Sequence, residues 1–116
     1  MGHGDRAMKQ HKHVEVSPAA LECCKHAILA WGEKAQMLMM MEETGELTVE
    51  LSHYLRGRQN YDKVVEEVAD VLFMALQMRE LFGSEAVDEQ LHRKLIRLRK
   101  RLLWAGETMK TAEELP

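Results

Sequence analysis

Apolar positions along this chain recur at spacings of three and four residues, the period of a helix face. Between about Glu33 and Leu55, the residues Leu38, Met41, Leu47, Leu51 and Leu55 mark one such face. Further along, Leu91, Leu95, Leu98 and Leu102 form a clean seam, expected on a helix that Ser84 caps and that ends near Trp104-Ala105-Gly106. Between them, roughly Asp62 to Leu81 is mostly apolar from Val64 onward and predicts a third helix. A first helix starts at Ser17-Pro18, with Ser17 as N-cap and Pro18 at the first helical position, and stops at Trp31 before Gly32. Arg56 to Asn60 reads as a turn, and Phe82-Gly83-Ser84 as a break. Residues 1–16 and 107–116 carry no periodicity and are expected as flexible tails around a single domain, 17–106. Four helices with short connections predict an all-α fold, either a bundle by itself or half of a dimeric one.

Composition supports this. Val, Ile and Thr together supply 14 of the 116 residues, whereas Leu alone supplies 15 and Ala 11, a balance that favours helices over strands. Only Pro18 and Pro116 occur, so proline interrupts none of the predicted helices. The adjacent Cys23 and Cys24 cannot staple distant segments and suit a reducing cytosol. The longest apolar run, Val71 to Leu76, is too short to span a bilayer, and the first sixteen residues lack the apolar core of a signal peptide. The expectation is a soluble cytoplasmic protein without a membrane partner. A net charge of −3 gives no general push towards nucleic acid. Nine Met, four of them at Met37, Met39, Met40 and Met41, predict a soft core. They cover more than one helix face, one for the core and one for a partner subunit.

The chemistry concentrates in Glu42-Glu43-Thr44-Gly45-Glu46 and Glu67-Val68-Ala69-Asp70. Glu43 and Glu46 are three apart, as are Glu67 and Asp70, which puts each pair on one helix face. Two such faces turned together surround one small volume with four carboxylates. A solvated charged face accounts for Glu42 and Glu66. It fails for Asp70, which sits in the apolar stretch Val68 to Leu76 and is expected to be partly buried. An unpaired buried carboxylate is costly or becomes protonated, and a divalent cation resolves that. Carboxylates without Cys or His suit Mg²⁺, or Mn²⁺ in its place, and Mg²⁺ readily binds substrate phosphates.

At these residues the chain resembles the MazG-like nucleoside triphosphate pyrophosphohydrolases. The resemblance rests on Glu42-Glu43-Thr44-Gly45-Glu46-Leu47 followed by Glu66-Glu67-Val68-Ala69-Asp70-Val71-Leu72, flanked by Trp31-Gly32, Gln36 and the Lys94-Leu95-x-Arg97-Leu98 helix, over about residues 30–103. It implies a four-helix, all-α hydrolase completed by oligomerisation, as a homodimer or homotetramer. The implied reaction is Mg²⁺-dependent hydrolysis of a nucleoside triphosphate, a deoxy- or non-standard one, to the monophosphate and pyrophosphate by metal-activated water. By the same resemblance Glu43, Glu46, Glu67 and Asp70 are metal ligands, and Glu42 orients or deprotonates the attacking water. Trp31, Lys34, Gln36, Lys94 and Arg97 are candidates for substrate binding.

Other classes fit less well. The fourth predicted helix carries Arg93, Lys94, Arg97, Arg99, Lys100 and Arg101, best explained as a solvated or interface face flanking the leucine seam. The acidic chain lacks the aromatic interleaving of a nucleic-acid binder. The Glu-x-x-His pairs Glu50/His53 and Glu89/His92 invite a di-iron reading, but one of them shares a helix with Glu43 and Glu46, so the required ligand layer does not assemble and chance proximity on exposed faces accounts for them. A catalytically inactive nucleotide-binding module of the same fold is the nearest alternative.

Overall fold

A computed structural model describes residues 16–106, and the two segments expected as tails lie outside them apart from Val16. Four helices follow in order: α1 Pro18–Trp31, α2 Glu33–Leu55, α3 Tyr61–Phe82 and α4 Ser84–Trp104. No strand occurs among the described residues, and no helix there is long and apolar enough to cross a membrane.

The ends of the helices follow local chemistry. The Ser17 hydroxyl accepts a hydrogen bond from the Ala20 N–H at 3.1 Å, so it caps α1 as expected. Gly32, at φ +91°, closes α1 through its N–H to the Ile28 carbonyl, and its own carbonyl accepts the first bond of α2 from Gln36. One residue therefore serves both helices. Gly83, at φ +111°, repeats the device, taking Arg79 behind it and Val87 ahead of it. This corrects the expected cap at Ser84, which is the first residue of α4 and makes no capping bond. The glycine already fills the junction, so no separate cap position remains.

α2 and α3 form the central antiparallel pair and share the largest interface. Asn60, at the end of the turn, donates through Nδ2 to the Glu50 carbonyl (2.9 Å) and to Glu50 Oε2 (2.8 Å), pinning the start of α3 to the last turns of α2. α1 lies mainly against α3, and α4 packs on α3 alone. Arg79 fastens that last junction with a two-pronged bond to Asp88, 2.7 Å from Nε and 2.7 Å from Nη2.

The core within one chain is thin. Among the described residues the fully buried apolar side chains are Cys24 and Met74, beside three buried polar ones, Gln36, Glu67 and Gln77. Met39 and Met41 are exposed, and Met37 and Met40 only half-buried, so the methionine cluster does not fill a core as its composition implied. Of the two adjacent cysteines, Cys24 is buried and Cys23 exposed. α4 has no fully buried residue, and most of its expected seam stays open: Leu91, Leu95 and Leu98 are 54%, 57% and 52% exposed, and Leu102 is half-buried.

Candidate functional site

The register of the α2–α3 pair brings its acids together. Glu43, Glu46 and Glu67 each offer a carboxylate oxygen within 4.8 Å of the others, and so do Glu66, Glu67 and Asp70. Glu67 belongs to both groups and is 3% exposed. Asp70 is half-buried, as its apolar surroundings predict, and Glu42 lies exposed on the rim. Glu66, expected on a solvated face, is exposed, yet its carboxylate also reaches the second group.

The electrostatics are unfavourable without a counter-ion. Burial pushes the Glu67 carboxyl above its ordinary range, Glu46 beside it adds to this, and Lys63 opposes it. Glu43 is likewise raised, first by burial and then by Glu46, Asp70, Glu67 and Glu42. Oε2 of Glu43 and Oε2 of Glu67 are both buried and have no hydrogen-bond partner. A buried carboxylate oxygen without a donor needs a proton or a cation. Several convergent carboxylate oxygens with orphaned members fit a hard divalent cation, which accepts only oxygen donors of this kind.

The pH dependence of stability follows in sign. For Glu43 and Glu67 the folded-state pKa lies above the unfolded value, so the folded chain holds more protons between the two values and stability falls as pH rises through that window. Metal-free protein is therefore expected to melt at a higher temperature as pH is lowered from neutral towards the ordinary glutamate value of 4.5. Asp88, held below its ordinary value by the hydrogen bonds from Arg79, contributes the opposite slope, but only in more acid solution, below 3.8. Thermal melts in EDTA across this range check the prediction; a melting temperature that climbs steadily towards neutral pH contradicts it.

A hollow of about 570 Å³ opens beside the acids, walled by Glu42, Gly45, Glu46, Val49 and Glu50 from α2 and by Lys63 and Glu67 from α3, while Glu43 and Asp70 do not line it. Gly45 stands in the middle of α2, where glycine costs a helix about 1 kcal/mol relative to alanine. A Cβ there meets nothing among the described residues within 4 Å, so internal packing does not explain the glycine. Lys63 joins the site from one turn before Glu67, its Nζ 3.7 Å from Glu67 Oε1. The four-residue spacing was a legible signal for that contact.

The Glu50/His53 pair does not lie on an exposed face as expected. Both side chains are mostly shielded, His53 Nδ1 is 3.7 Å from Glu50 Oε1, and Glu50 is held by Asn60. The residues expected to bind substrate do not gather at the acids. Trp31 is exposed beside a separate hollow with Ala19, Cys23 and His26. Lys34 is exposed, and Gln36 is 2% exposed with its Oε1 unpartnered. Lys94 borders a groove with Phe82, Val87 and Leu91, and Arg97 is exposed elsewhere on α4.

Compared with protein-family models, with curated proteins and with solved structures, the chain matches none.

Proposed function

We propose that the chain is a Mg²⁺-dependent nucleoside triphosphate pyrophosphohydrolase of the MazG-like kind, with Mn²⁺ as an alternative ion. The observation that carries this reading is the pair of carboxylate groups sharing the buried Glu67, which has one oxygen without a partner and lines an open hollow. Glu43, Glu46, Glu67 and Asp70 hold the ion. When bound, it supplies charge neutralisation for phosphate oxygens and a lowered pKa for water. Glu42, free on the rim, accepts the proton of the attacking water at its carboxylate. No covalent nucleophile is required, and the free Cys23 and Cys24 take no part in the chemistry and suit a cytoplasmic setting.

The working form is a homodimer or homotetramer in which the four helices complete a bundle with a second chain. Supporting this, 21 large apolar side chains are exposed among the described residues, against Cys24 and Met74 buried. Lys94 and Arg97 do not line the acidic hollow of their own chain, and reach phosphates only where chains meet.

The test is release of pyrophosphate from ribo-, deoxyribo- and damaged nucleoside triphosphates, with Mg²⁺ and with EDTA. Pyrophosphate plus monophosphate, lost in EDTA, is the expected result. Orthophosphate alone contradicts the cleavage position, and silence from folded protein favours a nucleotide-binding module.

A further inference from the structure

Lys63 is placed unlike the other cations among the described residues. It stands at the wall between two hollows, the acidic one and a second of about 440 Å³ formed with Gln59, Asn60 and Glu66 at the start of α3. Its ammonium lies 3.7 Å from Glu67 Oε1, and among the described residues it is the only Lys or Arg lining the acidic hollow. The side chain is half exposed while Glu67 is buried, so one end of the contact is fixed and the other is free to swing. A divalent ion and this ammonium compete for the same carboxylate. At a separation of a few ångströms they also repel each other.

Resting on the metal-dependent reading above, we propose that Lys63 is a two-position cation, partly offsetting the charge of Glu67 while the site holds no metal and turning to the phosphate oxygens of a diphosphate-bearing ligand once a divalent ion takes Glu67. An ammonium on a four-carbon stem suits both positions, because it is a compact charge with rotatable donors. Lys63 is thereby a positioning residue for the anion, and it couples arrival of the metal to arrival of the phosphate.

The test measures two affinities on the full chain, neither of them an activity. Mn²⁺ alone is titrated by electron paramagnetic resonance, and inorganic pyrophosphate is titrated by calorimetry at saturating Mn²⁺, for wild type, Lys63→Met and Lys63→Arg. Lys63→Met is expected to bind Mn²⁺ about threefold more tightly, the scale of a partly exposed ion pair. The same variant is expected to bind pyrophosphate about tenfold more weakly, the scale of a charge-assisted hydrogen bond. Lys63→Arg keeps pyrophosphate binding near the wild-type value. A merely structural role moves both affinities of Lys63→Met in the same direction, and that result overturns the proposal, as does an unchanged pyrophosphate affinity. Wild type that binds no Mn²⁺ overturns the metal reading itself, an outcome distinct from either.

Discussion

Glu67→Gln is expected to reduce metal-dependent pyrophosphate release by more than the roughly hundredfold that loss of an outer-shell partner costs a metal site, while raising the melting temperature of the metal-free protein. Both effects come from one residue's position. Glu67 is the single acid shared by the two carboxylate groups, so its loss removes a ligand from each. It is also the most buried of them, and its orphaned Oε2 has no hydrogen-bond partner. Glutamine has the same shape, carries no charge, and offers an amide N–H beside Glu46, a carboxylate oxygen of which lies within 4.8 Å of one of Glu67. The like-charge repulsion that burdens the metal-free site is relieved at its centre.

The pairing of results is diagnostic. Asp70→Asn is expected to act in the same direction on both measures, since Asp70 is half-buried and adds to the repulsion at Glu43. Glu66→Gln, at an exposed position that belongs to one of the two groups and not to both, is expected to change either measure less than Glu67→Gln. Initial rates in Mg²⁺ and thermal melts in EDTA provide the readings. Wild-type turnover in Glu67→Gln removes that residue from the site, and a fall in metal-free stability shows that its charge is satisfied rather than strained.

The helices were legible because their ends are written locally. Ser17-Pro18, Gly32, the Arg56–Asn60 turn and Gly83 each act within a few residues, and each boundary lies within about one residue of its expected place. Ser84 misled because a capping residue is recognised by type, whereas the structure gives the junction to the neighbouring glycine's positive φ. The acids were legible for a related reason: three-residue spacing puts Glu43 with Glu46 and Glu67 with Asp70 whatever the tertiary packing. What spacing does not contain is register between helices. The Asn60–Glu50 and Arg79–Asp88 bonds span ten and nine residues across turns, and they decide which faces meet. Burial was the least legible property. An apolar seam such as Leu91–Leu98 identifies a face that seeks cover, and it does not say that the cover comes from the same chain.

For that seam, the double substitution Leu95→Glu with Leu98→Glu is expected to reduce the solution mass to that of one 13.4 kDa chain and to lower the melting temperature sharply. Burying a leucine fully contributes about 1.5–3 kcal/mol. Leu91, Leu95 and Leu98 remain more than half exposed in the single chain, so several kcal/mol are left unrealised on α4 alone. On the central pair, Leu38, Met41, Leu72 and Phe73 stand equally open. A helix of 21 residues that buries none of them and touches only one neighbour has little reason to keep its place unless something else covers it. In the proposed oligomer a second copy would supply apolar faces of the same kind. Placing two glutamates in the seam confronts like charges across such an interface, which costs several kcal/mol. Leu95→Met with Leu98→Met keeps the apolar character and is expected to keep the assembly. Light scattering after size exclusion separates the outcomes: wild type eluting at the mass of a single chain, with α4 fully helical by hydrogen exchange, shows that the seam needs no partner.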